Sequence, residues 1–327
     1  MIQLPEKNSQ NGPEGSSVGQ SVRFVTVSSE ESGQRLDNYL LRLLSGVPKT
    51  RLYKAIRKGE VRVNKGRAKP ETRLEGNDVV RVPPFREADK KPPKTSHRWM
   101  DKIRDAIVLD QGDLLVINKP SGLAVHGGSG IDAGLIETLR AMYPEQRYME
   151  LVHRLDRDTS GLIMVARRAS ALRELHQALR RDGVDKRYHC LVAGRWPAHL
   201  KHVDAPLEKF ALGSGERMVR VSAEGKSALT RFRVLRRWKE ATLIEAKPVT
   251  GRTHQIRVHC RHVGHPILCD SKYETPEAAE LARRIGLDRL FLHAASLRFE
   301  LGSERYTLEA PLDDALEQIC ERLTPAS

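Results

Sequence analysis

The segment His153-Arg154-Leu155-Asp156-Arg157-Asp158-Thr159-Ser160-Gly161 places one acid, Asp156, between two arginines, just ahead of an apolar run over residues 162–166. Cations this close favour the charged form of a carboxylate and lower its pKa by about 1–3 units, even where burial would raise it. An ionised carboxylate carried on a loop is a competent nucleophile. The same charges can equally form a buried salt bridge that holds the turn Asp158-Thr159-Ser160-Gly161. The residues alone leave both readings standing. Asp156 is still the foremost candidate for chemistry, because a loop entering a strand rarely needs Arg-Leu-Asp-Arg-Asp to keep its shape.

Other clusters point away from bound groups. Gly127-Gly128-Ser129-Gly130 lacks Walker spacing, a following Lys-Ser/Thr and the Gly-x-Gly-x-x-Gly fingerprint, so it reads as a flexible loop able to touch a polyanion backbone. His254, His259, Cys260, His262, His265 and Cys269 crowd together but match no zinc spacing. No metal and no cofactor is expected. The four cysteines, Cys190, Cys260, Cys269 and Cys320, include no Cys-x-x-Cys pair in a chain of 327 residues, which fits reduced thiols in a cytoplasm.

Short apolar runs must position these groups. Residues 106–109 and 114–117 flank the turn Asp110-Gln111-Gly112-Asp113, while 162–166, 188–193, 228–246, 291–292 and 296–299 read as further strands. Residues 169–181 carry Leu172, Leu175, His176 and Leu179 at helical spacing. Residues 101–327 are therefore expected to form an α+β domain with a mixed, mostly antiparallel sheet.

Upstream the composition changes. Leu36, Tyr39, Leu40, Leu43 and Leu44 have helical spacing, Gly46-Val47-Pro48 breaks it, and a second helix starts near Lys49 with Leu52, Ala55 and Ile56 on one face. Gly59 is placed to stop that helix, and residues 61–63 and 79–82 read as short strands. Between Gln34 and Arg86 there are 14 Lys+Arg against five acids. Solvated faces ordinarily mix signs, so Lys54, Arg57 and Lys58 on the second helix are expected to dock RNA. The unit should span residues 21–84, followed by an extended, mobile linker over the charged, proline-rich residues 85–100. Residues 1–20 are polar, lack the features of a signal peptide and read as a disordered tail. No apolar run is long enough to span a bilayer. The whole chain carries 56 Lys+Arg against 42 Asp+Glu, a net charge of +14 that attracts polyanions.

Three segments in series resemble the RluA-type family of RNA pseudouridine synthases: Asn118-Lys119-Pro120-Ser121-Gly122-Leu123, His153 to Gly161, and Gly251-Arg252-Thr253-His254-Gln255-Ile256-Arg257-Val258-His259. The resemblance extends over essentially the whole chain after residue 20. The N-terminal unit resembles the αL-motif RNA-binding domain of a small-subunit ribosomal protein. Gly215-Glu216-Arg217-Met218-Val219-Arg220-Val221 and Phe291-Leu292-His293-Ala294-Ala295 are most similar to the RluC branch, which modifies large-subunit (23S) rRNA.

The resemblance implies an isomerase that breaks the bond from uracil to ribose, turns the base and rejoins it through carbon 5, without a cofactor. It implies that Asp156 is essential and is paired bidentately with Arg257, which keeps it charged and aimed. Tyr188, in Lys186-Arg187-Tyr188, would stack on the target base near carbon 5. Arg154 would fill the gap left when the uridine swings out of its stack, a step that costs about a few kcal/mol. Arg157 and Arg252 would contact phosphates. The implied partner is 23S rRNA or a large-subunit precursor, with no membrane and no obligate protein partner. One rival reading keeps the reaction and moves it to other rRNA helices or to tRNA; the rival from another class is a basic, non-catalytic RNA-binding or assembly factor. The set Asp156, Tyr188 and Arg257 argues against the non-catalytic factor, because a carboxylate facing a polyanion repels phosphate.

Overall fold

Leu36, Tyr39, Leu40 and Leu44 are buried against Leu52, Ala55 and Ile56, so the two helical stripes of the N-terminal sequence meet in one small core. The computed structural model describes residues 21–44, 46–85, 95–127, 133–213 and 216–325. The described residues form two compact units, one of residues 21–29 and 33–85 and one of residues 30–32 and 95–325. The first contains β1 (Arg23–Thr26), α1 (Leu36–Leu43), α2 (Lys49–Lys58), β2 (Arg62–Val63), β3 (Gly66–Arg67) and β4 (Val79–Val82), with sheet order β1-β4-β2-β3. Gly59 ends α2 at φ 72°, a left-handed conformation that glycine adopts without steric cost.

Both ends of the expected 85–100 linker belong instead to folded elements. Phe85 is buried in the first core, and α3 (His97–Asp105) starts before residue 100 and buries Ile103 in the second unit. Few apolar residues mark α3, and the lysines and prolines ahead of it mask its period. Residues 86–94, where the mobile segment was expected, and residues 1–20, the expected tail, lie outside the described residues.

After α3 the second unit runs β5 (Ile107–Gln111), β6 (Leu114–Lys119), α4 (Leu135–Met142), β7 (Glu150–Leu151), β8 (Ser160–Ala166), α5 (Ala169–Arg180) and β9 (Asp185–Ala193). It continues through β10 (His202–Asp204), β11 (Leu207–Ala211), β12 (Arg217–Val221), β13 (Leu229–Arg237) and β14 (Ala241–Pro248). It ends with α6 (Gln255–His262), α7 (Pro276–Ile285), β15 (Leu292–Leu301), β16 (Glu304–Glu309) and α8 (Asp314–Glu321). The main sheet has the order β10-β13-β14-β9-β15-β8-β6-β5, with β16 on β15 and β7 on β8; β11 and β12 form a separate hairpin. The pairing of β8 with β15 is parallel and its neighbours are antiparallel, so the sheet is mixed and mostly antiparallel, as expected.

Successive residues of β6 and β8 enter different cores. Leu115, Ile117, Ile163 and Val165 face one layer, whereas Leu114, Val116, Leu162 and Met164 face another beneath α5. Burial on both sides is why these strands are continuous apolar runs with no alternation. Residues 228–246 contain parts of two strands, β13 and β14, paired as a hairpin. Residues 291–299 belong largely to one, β15, whose register against β9 shifts between Ala294 and Ser296. Gly161 lies at φ 107° opposite Ala294, and a Cβ there would stand 2.4 Å from the Ala294 nitrogen and oxygen. The glycine closing the Asp156 segment is therefore set by the approach of β15.

Candidate active site

Asp156 sits in the loop between β7 and β8, and the segment after β6 holds that loop in place. Lys119 is fully buried, and its ammonium donates to the carbonyls of Pro120, Leu123 and Arg157 at 2.9–3.0 Å. Gly122 N–H donates to the Arg157 carbonyl at 3.0 Å, and Ser121 Oγ donates to the Asp158 carbonyl at 2.7 Å. Burial pulls the Lys119 pKa down to about 7, against the opposing pull of the Asp158 and Asp156 charges. Three carbonyls match the three N–H bonds of the charged form. The Asn118–Leu123 motif thus acts on the same loop as the Asp156 motif, which explains their occurrence together.

The Asp156 side chain is 21% exposed and accepts from Arg257 Nη1 at 3.1 Å through Oδ2. The expected bidentate pair between these two residues is not formed. Arg257 Nε and Nη2 instead donate to Asp270 Oδ2 and Oδ1 at 2.8 and 2.6 Å, and only the remaining corner of the guanidinium reaches Asp156. Asp270 is fully buried and also accepts the Lys272 N–H. Burial draws the Arg257 pKa down, but its bonds and charge contacts with Asp270 and Asp156 outweigh that, so the guanidinium is held above its ordinary value. The Arg257 Cζ also stands 5.2 Å from the centre of the Tyr273 ring, within cation–π range.

Asp156, Tyr188, Arg257 and Leu292 line one pocket of about 580 Å³, with the exposed Arg154 and Arg252 also along it. That volume suits a small organic group. Tyr188 is buried on β9, and burial together with the Asp156 charge pushes its phenol well above the usual range, so it is neutral near pH 7. Arg252 Nε donates to the Ser227 carbonyl at 3.0 Å. Arg157 does not join the pocket lining: its guanidinium is exposed and pairs with Asp158 at 3.0 Å. In the first unit Lys54, Arg57 and Lys58 are exposed on α2. Lys54 and Lys58 line a groove of about 460 Å³ with Arg51 and Phe85, and Arg57 lies off it.

The histidine- and cysteine-rich stretch is dispersed by folding. His259 bonds Thr230 Oγ1 and the Ala205 carbonyl, His265 bonds the Ala193 carbonyl, and Cys260 is buried. Among the described residues no three His, Cys, Asp or Glu side chains converge on a metal position. The sequence reading missed Asp270, which no motif marks. It also weighed His254 only as a metal ligand, although His254 Nε2 lies 3.8 Å from Asp156 Oδ2.

Residues 113–262 match the family described as RNA pseudouridylate synthase, and residues 34–80 match the S4 domain. A ribosomal large subunit pseudouridine synthase C from Pasteurella multocida (strain Pm70) is 53% identical over 306 residues, covering 92% of this chain and 94% of its own. The chain belongs to the RNA pseudouridylate synthases. A protein of the same description from Escherichia coli (strain K12) is 51% identical over 312 residues, covering 94% of this chain and 98% of its own. The structure of Human RNA Pseudouridylate Synthase Domain Containing 1 aligns with a TM-score of 0.56 at 27% identity, over 68% of this chain and 89% of that one. This synthase is thus an isomerase with an α+β catalytic fold and an N-terminal S4 domain.

Proposed function

We propose that this synthase converts specific uridines of large-subunit (23S) rRNA to pseudouridine, with Asp156 as the essential carboxylate. The observation that carries this reading is the convergence of Asp156, Arg257 and Tyr188 on a single pocket. The substrate class follows from relatives whose descriptions name the large ribosomal subunit. The flipped uracil enters the pocket and stacks on Tyr188, with its ribose toward Asp156. Arg154, at the pocket, fills the gap in the RNA stack, and Arg252 takes a neighbouring phosphate. The bond from ribose carbon 1 to the ring nitrogen breaks, a bond from the same carbon to base carbon 5 forms, the hydrogen on carbon 5 leaves as a proton, and the freed ring nitrogen takes up a proton. Product and substrate are isomers, so no electrons are gained or lost. Tyr188, being neutral, serves as a stacking surface and a hydroxyl beside carbon 5.

Residues 21–84 dock the rRNA through Lys54, Arg57 and Lys58 on α2. The enzyme works in the cytoplasm without an obligate protein partner. Among the described residues no helix is long and apolar enough to cross a membrane.

Each turnover replaces the hydrogen on uracil carbon 5, so unmodified 23S rRNA labelled there with tritium reports the reaction by release of label into water. The enzyme should release tritium from this RNA and leave pseudouridine at discrete positions, whereas Asp156→Asn should release none. Wild-type release by Asp156→Asn would refute the role of Asp156. Release from tRNA but not from 23S rRNA would refute the substrate.

A further inference from the structure

His254 precedes α6 with φ 53° and ψ 19°, a left-handed conformation that residues with a Cβ rarely take and that tends to persist where function requires it. Its side chain is 12% exposed. Nδ1 lies 2.7 Å from Tyr273 Oη, and that oxygen accepts the Val219 N–H at 3.0 Å. Nε2 lies 3.8 Å from Asp156 Oδ2, the oxygen that Arg257 Nη1 already occupies at 3.1 Å. Among the described residues Asp156 Oδ1 has no hydrogen-bond partner.

The hydrogen-bond network assigns the tautomer. Tyr273 is buried, and Val219 N–H occupies an acceptor site on its oxygen, so the phenolic proton goes to His254 Nδ1. The ring proton then sits on Nε2, facing Asp156. The opposite tautomer would leave the Tyr273 proton without an acceptor and would aim a lone pair at a carboxylate. Val219 belongs to β12, and Lys272, next to Tyr273, pairs with Glu216 beside the start of that strand. Val219 and Tyr273 also pack together with Leu207 of β11. The separate hairpin of β11 and β12 therefore sets where the imidazole points.

We propose that His254 is a positioning residue for Asp156: its Nε2–H and Arg257 Nη1 both face Oδ2 and so reserve Oδ1 as the oxygen that acts on the flipped nucleotide. At 3.8 Å the imidazole orients the carboxylate as a dipole and is too distant for a hydrogen bond. The inference rests on the reading of Asp156 as the essential carboxylate.

The test compares full-length His254→Ala, His254→Gln and Tyr273→Phe by tritium release from labelled 23S rRNA, with kcat and KM measured separately and thermal unfolding recorded alongside. His254→Ala should lower kcat by between about tenfold and a hundredfold, the scale for a misaimed reacting group, with KM unchanged. His254→Gln, whose side-chain amide offers an N–H in a similar place, should recover most of that loss. Tyr273→Phe keeps the ring over Arg257 and removes only the hydroxyl, and its kcat should fall between the two.

Full kcat in His254→Ala overturns the proposal. So does a rise in KM that accounts for the whole loss, since His254 would then be an RNA contact. A Gln variant as slow as Ala also overturns it, with a lowered unfolding temperature marking a purely structural role. Asp156→Asn in the same assay separates the two levels. If it is active, the underlying reading fails; if it is inactive while His254→Ala runs at full rate, only the present inference fails.

Discussion

Arg257 on α6 and Arg57 on α2 belong to the same basic chain but are held in opposite ways. Arg257 is 6% exposed, and its guanidinium is divided between Asp270 and Asp156. Arg57 is exposed on a helix face with Lys54 and Lys58 beside it. Breaking a buried ion pair by removing one partner costs about 3–5 kcal/mol, because the other charge is left without compensation. An exposed charge is worth about 0–1 kcal/mol and is screened by salt. Chemistry at one bond needs a charge fixed in one place, whereas docking on a polyanion draws on the sum of several interchangeable charges. On the function proposed above, the two units divide these tasks.

The comparison breaks most directly at Asp270. Asp270→Asn keeps the shape but removes the charge that holds the Arg257 fork. It should destabilise the second unit by about 3–5 kcal/mol and slow isomerisation by loosening the residue that aims Asp156. Arg57→Gln should change stability by less than about 0.5 kcal/mol. Urea unfolding of the two variants side by side decides the matter. Equal shifts in midpoint would show that burial does not separate the two arginines.

Asp270 also shows where reading the sequence stops. Asp156, Tyr188, Arg257, Arg154 and Arg252 could be named beforehand because they sit in segments whose residue order is distinctive, and folding brings them to one pocket. Asp270 lies 13 residues beyond Arg257, past the end of α6. Only the path of that loop makes it a partner, and no local pattern encodes the path. The expected bidentate pairing of Arg257 with Asp156 went astray for the same reason, since the fork was already taken. The main sheet was legible in outline because strands buried on both faces are continuous apolar runs. The start of α3 was not, because its few apolar residues follow a stretch of charge and proline.

Mild acid, above the carboxylate range, should act on the second unit through a buried histidine of a kind the first unit lacks. His293 is 1% exposed, with Nδ1 2.9 Å from Ser160 Oγ and Nε2 3.0 Å from the Ala310 carbonyl, and burial pushes its pKa down to about 4. Unfolded, the ring takes a proton near pH 6.5, so between these values the unfolded chain binds more protons than the folded one. The stabilisation is complete above pH 6.5 and is lost as pH falls toward 4, at roughly 1.4 kcal/mol per pH unit within that window. Residues 21–85 contain no histidine and should lack this slope. Unfolding free energies from pH 7 to 4.5 should fall less steeply in His293→Gln than in the wild type. Identical slopes would remove His293 as the cause.

Gly161 tests whether the Asp156 loop tolerates any shift of β15. Gly161→Ala sets a Cβ against the Ala294 backbone at 2.4 Å and at positive φ. Forcing an extra methyl into a packed site costs roughly 1–3 kcal/mol. Asp156 stands only a few residues ahead of Ser160, where β8 begins, so displacement of the strand should also slow tritium release. An active variant with an unchanged unfolding midpoint would show that β8 and β15 separate freely.

The smallest effect per residue belongs to α2. Lys54, Arg57 and Lys58 are each replaceable, so the informative variant neutralises all three to Gln and is read by the salt dependence of rRNA binding. If each cation displaces one counterion from duplex RNA, the slope of log K against log salt should flatten by roughly 0.9 for every phosphate that is no longer neutralised. Arg57 lies off the groove lined by Lys54 and Lys58, so restoring Arg57 alone should recover less of the slope than restoring either lysine. Equal recovery by all three would mean that the helix acts as a diffuse field, with the groove playing no special part. A slope unmoved by the triple change would mean that these cations are merely solvated, and the contrast with Arg257 would then lie between a working charge and an idle one.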